Sequence, residues 1–412
     1  MANLAPFRSI SSGTQPPYDA PAYHWTAKRH PRRALHAMPL TITETTGPTF
    51  PPARFPVIAD LTMVTGKPAL GERIIVAGTV TGEDGQPVPG AMIEVWQANA
   101  AGRHDHPDDQ HDAPVDPNFR GAGRVFTDAE GRYRFVTIRP GAYAWENHRN
   151  AWRPAHIHFS VSGPTFAARL VTQMYFPGDP LLTFDPVFHA VPETAARNRM
   201  IARFDLDLAQ PDWALGYRFD IVLPCRAAKP DRQATMPIVS ASQTIGHHWH
   251  LIQDADYSDL TAFGAEGERI ALTGAVRDGD GTPCTDACVE IWQPDPPASD
   301  RFPGFGRAHT DARGVFHFRT VKPGPVHAGT GDAETALQAP HIAVRILARG
   351  LMRDLVTRVY FQNEPRNEAD PLLSSIEDPE RRATLIARPD GTAAWRLDIR
   401  LQGMDETVFL AI

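Results

Sequence analysis

Apolar and polar residues alternate with a period of two over short runs: Arg73 to Val80, Ala91 to Gln97, Arg132 to Ile138, His156 to Val161 and Tyr217 to Leu223. Alternation sends successive side chains to opposite faces, so each run reads as a strand with one face against a core. Asp84-Gly85, Glu130-Gly131, Asp280-Gly281 and Arg313-Gly314 supply, between such runs, residues that tolerate the positive φ of tight turns. Only Glu193 to Ile201 and Arg381 to Ile386 read as short helices. Many short strands at this spacing predict an all-β protein built as two-sheet sandwiches.

The pattern occurs twice. Gly71-Glu72-Arg73-Ile74 leads into Glu94-Val95-Trp96-Gln97, and Gly267-Glu268-Arg269-Ile270 leads into Glu290-Ile291-Trp292-Gln293 at the same offset. In the same order, Gly123 to Asp128 matches Gly306 to Asp311, Phe135 to Gly141 matches Phe318 to Gly324, Val171 to Phe176 matches Val356 to Phe361, and Tyr217 to Ile221 matches Trp395 to Ile399. A tandem duplication of one domain explains this. The expected organisation is an extended arm over 1–40, a first sandwich over 41–225, a Pro-containing linker over 226–240 and a second sandwich over 241–412. A chain of 412 residues also exceeds what one core usually supports.

Composition narrows the class. Net charge is −7 with 22% charged residues, which argues against nucleic acid or an anionic membrane as partner. The basic run Lys28 to Arg33 reads as a solvated arm or a contact to another segment. Three cysteines, Cys225, Cys284 and Cys288, show no CxxC spacing, so neither a disulfide framework nor a thiolate zinc site is expected, and a reducing cytoplasm fits. No run reaches the roughly 18 apolar residues of a membrane span, and the N-terminus lacks the apolar stretch of a secretion signal.

The candidate chemistry lies in Trp152-Arg153-Pro154-Ala155-His156-Ile157-His158-Phe159. In a strand, His156 and His158 share one face about 6–7 Å apart at the Cα atoms, close enough for both rings to reach one ion through bonds of about 2.1 Å. The alternative is two polar neighbours on a wetted face. Tyr143, in the turn Pro140-Gly141-Ala142-Tyr143, adds an oxygen anion. Imidazoles with a phenolate suit an oxidisable first-row metal, ferric iron first and copper behind it, better than magnesium or calcium. The second repeat has Val326, Gln338 and Ala343 where Tyr143, Arg153 and His158 stand, keeping only His341 for His156, so one metal per chain is expected.

These residues, with Gly71 to Gly78, Trp96-Gln97-Ala98-Asn99-Ala100 and Asp116-Pro117-Asn118-Phe119, resemble the intradiol aromatic-ring dioxygenases. Within that family, residues from about Tyr23 to Cys225 are similar to the iron-bearing β subunit of protocatechuate 3,4-dioxygenases, and those from about Ser242 to Ile412 to the α subunit. The resemblance implies a natural β-α fusion, with ferric non-haem iron held by Tyr143, His156 and His158. Arg153 is implied as positive charge beside the iron; an Arg at a strand edge paired to a carboxylate is the other reading. Tyr23 and Arg349 are implied to face a substrate carboxylate from the two halves, with Trp145 and Gln173 as further substrate contacts. A small aromatic substrate and dioxygen are the implied partners, and a homo-oligomer of fused protomers the implied assembly.

Two departures bear on the chemistry. The family's second tyrosine ligand follows a Trp-Gln-Ala-Asn-Ala-x-Gly-Arg run, and here His104 follows Arg103. Either His104 ligates, adding a unit of positive charge that favours ferrous iron or copper, or it points into solvent beside Asp105 and His106. Where the α subunit carries a Gly-Pro-Tyr-like turn, this chain has Gly246-His247-His248-Trp249-His250, whose His247 and His248 either contact substrate or decorate the surface. The expected reaction is intradiol cleavage of a protocatechuate-like catechol to a cis,cis-muconate. The alternatives are an o-aminophenol or catechol oxidase of the same fold, and a binding protein with a vestigial site.

Overall fold

The computed structural model describes residues 13–145, 152–224, 237–329 and 337–412. In the first half, strands Ala122–Phe126, Met92–Trp96, His156–Ser162 and Arg169–Tyr175 form one antiparallel sheet in that spatial order. The long strand Arg73–Gly82 centres the other, with Arg132–Ile138 antiparallel on one side and Leu215–Arg218 and Ile221–Leu223 parallel on the other. Ile74, Val76 and Val80 of the second sheet pack against Val95, Ile157 and Phe159 of the first, so the core is the space between two sheets.

The second half repeats the plan. Phe305–His309, Cys288–Trp292, His341–Leu347 and Leu355–Phe361 form the antiparallel layer, and Arg269–Arg277 with Val315–Val321 and Ala394–Arg396 forms the facing one. Strand Ile386–Pro389 pairs with both layers, joining them into one 11-stranded sheet that turns a corner. All four predicted turn glycines have positive φ: Gly85 75°, Gly131 73°, Gly281 84° and Gly314 75°.

Three local expectations are corrected. Tyr217 to Leu223 is two strands, because the Asp220 carboxylate accepts the Thr79 N–H at 3.0 Å and the chain kinks at Phe219-Asp220 without changing register on Arg73–Gly82. Asp398 does the same to Ala275 in the second half. The second predicted helix begins earlier, at Pro379–Ala383, since Asp378 caps it and Pro379 sits at its first turn; Ile386 already belongs to a strand. The first helix is the shorter Thr194–Asn198.

The arm is a contact segment. Arg29 is buried and donates to Asp286 at 2.7 Å and to the Arg349 carbonyl at 2.6 Å, while the N–H groups of Arg32 and Arg33 both donate to Glu406. His36–Ala37 pairs parallel with Leu410–Ala411. Most of the linker, and Cys225, lie outside the described residues; at the linker's end Ser240 exchanges hydrogen bonds with Val222. Cys284 and Cys288 are buried free thiols. No helix among the described residues is long and apolar enough to cross a membrane.

Between the halves lies a buried ionic cluster. Glu94 accepts from Arg124 at 3.0 Å and from Arg307 at 2.7 Å, and Glu290 accepts from Arg169 at 2.8 Å and Arg307 at 3.3 Å. Burial alone would raise the Glu290 carboxyl, but Arg169 and Arg307 outweigh it and bring it from the ordinary 4.5 down to about 2. A depressed carboxyl contributes stability above its unfolded value and loses it as pH falls through the folded one. About 3 kcal/mol is therefore expected to disappear between roughly pH 4.5 and pH 2, at about 1.4 kcal/mol per unit. Urea midpoints of wild type should fall across that window. Glu290→Gln should be less stable throughout and fall less steeply; parallel curves would deny Glu290 this role.

Candidate metal and substrate site

Tyr143–Ala144 and Trp152–Arg153 pair antiparallel with Tyr143 opposite Arg153, which brings phenol and guanidinium to one end of the first sandwich. Pro154 and Ala155 lead straight into His156–Ser162, where alternation sets both imidazoles on one face. Each ring is fixed from behind. His156 Nδ1 lies 2.8 Å from the Pro154 carbonyl, so that nitrogen carries the proton and Nε2 offers its lone pair. His158 stacks on Trp96, its cross-strand partner, at 4.7 Å between centroids. Gly246, at φ 79°, lets the second half approach the His158 ring closely: a Cβ there would lie 3.0 Å from Cε1.

The donor atoms converge. Nε2 of His156 and Nε2 of His158 are 3.2 Å apart, and the Tyr143 hydroxyl is 3.5 Å from His156 Nε2. Donors around an ion with bonds of about 2.1 Å sit roughly 3.0–3.4 Å from one another. His158 Nδ1 is buried without a partner. Burial, and then Arg153 for His156 and His156 itself for His158, hold both imidazoles well below their ordinary pKa, so both rings are neutral. Burial raises the Tyr143 phenol while Arg153 opposes it. Two neutral imidazoles and a phenol at these spacings fit a first-row metal.

His104 turns inward, and its solvent reading is overturned. Asn99 Oδ1 accepts the N–H groups of Ala101 and Arg103 at 2.9 and 3.0 Å, which folds the preceding turn. Asp109 Oδ2 then takes both the His104 backbone N–H at 2.8 Å and its ring Nδ1 at 2.9 Å. His104 is 2% exposed, and its ring meets Tyr143 edge-on at 5.2 Å.

Arg153, also buried, donates to Asp185 at 2.7 Å, Gln173 at 2.8 Å and the Tyr175 hydroxyl at 3.0 Å, and its other guanidinium nitrogen is 3.2 Å from His156 Nε2. It is therefore both paired to a carboxylate and beside the donor set. Gln173 stands behind Arg153, its amide engaged by Arg153, Tyr175 and the Thr244 carbonyl, and not on the cavity wall. The residue reasoning from sequence missed here is Asp185. It had a signal: Tyr175-Phe176 precedes Asp185-Pro186 as Tyr360-Phe361 precedes Asp370-Pro371.

Over these groups opens a cavity of about 480 Å³. The arm contributes Tyr23 to its lining, the first half Trp145, and the second half His247, His248 and Arg349, so both histidines after Gly246 face the cavity. Arg349 lies 3.8 Å over the Trp25 ring and 3.2 Å from His247 Nδ1. Tyr23 accepts the Gly350 N–H at 3.1 Å, and burial pushes its phenol up to about 12. In the second half the corresponding place is filled: Glu44 pairs with Arg358 at 2.8 Å and Thr43 bonds His341 Nε2 at 2.9 Å.

A duplicated β-sandwich whose first copy carries this donor set is the architecture of an intradiol ring-cleaving dioxygenase, and the chain belongs to that family. The family model described as "Dioxygenase" matches residues 45–225 and 253–403, and that of the protocatechuate 3,4-dioxygenase beta subunit N terminus matches residues 9–41. The chain is 55% identical over 221 residues to a protocatechuate 3,4-dioxygenase beta chain of Burkholderia cepacia, covering 53% of this chain and 93% of that one. It is 42% identical over 158 residues to the alpha chain from Pseudomonas putida, covering 35% of this chain and 77% of that one. Both relatives thus align to one polypeptide, which is a fused alpha-beta protein. Members of this family generally depend on non-haem iron.

Proposed function

We propose that this chain opens a protocatechuate-like catechol acid between its two oxygenated carbons with dioxygen, using one non-haem iron held by Tyr143, His156, His158 and His104. The observation that carries the reading is the 3.2 Å approach of the His156 and His158 Nε2 atoms, with the Tyr143 hydroxyl 3.5 Å away, beneath a cavity whose wall holds a guanidinium. When bound, the iron draws electron density from the catechol oxygens and readies the ring for dioxygen. The chain's residues do the rest. Tyr143, a phenolate where it would hold the iron, would take up a proton as the substrate hydroxyls enter, and the burial around it favours the neutral phenol it then becomes. Arg153, held by Asp185, faces the negative charge that develops on substrate oxygens, a contribution of about 3–4 kcal/mol in comparable sites. Arg349 and Tyr23 receive the carboxylate across the cavity, and Trp145 stacks beneath.

His104 favours one variant of this reading. Taken without its hydrogen-bond partners, an imidazole in place of phenolate adds positive charge to the site, which suits ferrous iron or copper and an oxidase acting on an o-aminophenol or catechol. Product analysis separates the two. Protocatechuate turned over under isotopically labelled dioxygen should give an opened ring carrying two labelled oxygens, with about one iron per chain. An unlabelled quinone would overturn ring cleavage. His104→Tyr should add a tyrosinate-to-iron visible band; if no band appears, His104 is not at the metal.

A further inference from the structure

The most unusual group in the site is the pair His104 and Asp109. Both are buried, and the carboxylate is fully engaged: Oδ2 takes the His104 backbone N–H and ring Nδ1, and Oδ1 takes the His111 N–H at 2.9 Å. Arg103 Nε stands 3.8 Å from the same Oδ1. Three N–H donors and a guanidinium keep Asp109 anionic by geometry. A ring whose Nδ1–H is held by a carboxylate presents an unprotonated Nε2, and the carboxylate strengthens that nitrogen as a ligand. The ring stands edge-on to Tyr143, 5.2 Å between centroids, with the His248 ring 4.2 Å away.

We infer that Asp109 supplies, through His104, the negative charge that a second phenolate would otherwise bring to the metal. This rests on the metal set proposed above. His104 costs the site one anionic ligand, and the hydrogen-bonded carboxylate returns that charge one atom layer further out. The site thereby keeps a preference for the oxidised metal despite three imidazoles. Asp109 is a positioning residue: it touches neither substrate nor metal and acts through His104. One competing arrangement uses the same atoms. His248 Nε2 is 3.9 Å from Asp109 Oδ2, and His104, Asp109 and His248 together could hold a second cation as a two-histidine, one-carboxylate set. The observations favour the first arrangement, because Oδ2 already accepts two N–H groups from His104 and stands a full 3.9 Å from His248.

The test measures the one-electron potential and iron content of the full chain as wild type, Asp109→Asn, His104→Tyr and the double variant. Asn keeps an acceptor for Nδ1–H but removes the charge. Asp109→Asn is expected to lower the preference for ferric over ferrous iron at least tenfold, a rise of about 59 mV for one electron. In the His104→Tyr background the same change should move the potential much less, because the path through the imidazole is gone. Asp109→Glu, which keeps the charge, should hold the potential near wild type and guards against a folding defect in the Asn variant. An unmoved potential in iron-loaded Asp109→Asn, or equal shifts in both backgrounds, would overturn the inference alone. Two metals per wild-type chain, falling to one in His248→Ala, would replace it with the second cation site. A wild-type chain that holds no iron would overturn the metal set itself.

Discussion

His158→Ala is expected to leave a folded chain that no longer retains iron. Outer-shell partners of a metal ligand typically cost about 10–100-fold in affinity when removed, and His158 stands in the donor set itself, so its loss should exceed that range. The fold should survive for a reason built into the duplication. Ala343 occupies the matching position in the second half, opposite Trp292 as His158 is opposite Trp96, and the strand there is intact. Beyond the burial of the ring itself, the first half loses the stack of His158 on Trp96, about 0.5–1.5 kcal/mol. Metal analysis after dialysis should therefore show a loss of iron with only a modest drop in the thermal midpoint. Full retention of iron would remove His158 from the site. Loss of the fold would mean that the imidazole packs more than it ligates.

The contrast between the halves also explains which parts of the molecule were legible in the sequence. Strands were legible because one face of each sheet meets a core and the alternation survives, as in Arg132–Ile138, whose limits the pattern reproduces. The meeting of two imidazoles was legible for the same reason: His156 and His158 are two apart in a strand, so they must share a face. Gln173 was misjudged because Arg169–Tyr175 is buried along its whole length and gives no alternation to tell cavity from interior. The inward turn of His104 was not legible either. It depends on Asp109 in an irregular loop, where no period links the two residues, and only the folded turn at Asn99 brings them together. The kink at Phe219-Asp220 has a similar origin, since a carboxylate replacing a ladder carbonyl leaves no mark on hydropathy. The resemblance to a known family named His104 as a departure, but the geometry shows how the chain accommodates it.

Arg153→Met is expected to reduce both stability and turnover, and the second repeat offers a way to separate them. Removing the guanidinium leaves Asp185, which is fully buried, facing Tyr175 and Gln173 without its cation. Breaking a buried pair from one side costs about 3–5 kcal/mol. Loss of the charge beside the donor set should independently lower kcat by about 10²–10³. Arg153→Lys should recover part of the stability but little of the rate, because an ammonium cannot meet Asp185, Gln173 and Tyr175 as a planar fork does. The second half carries the reverse arrangement: Gln338 stands where Arg153 does and Arg358 where Gln173 does, joined by a 2.7 Å hydrogen bond. The double variant Arg153→Gln, Gln173→Arg copies that arrangement into the first half. It keeps a cation within the same buried group and should regain part of the lost stability. It should not regain turnover, because the charge then sits on the Arg169–Tyr175 strand behind the cavity instead of beside His156. Urea midpoints and kcat measured on the same preparations decide the matter. Turnover restored with the swap would show that the site needs a cation somewhere in the cluster and not at position 153.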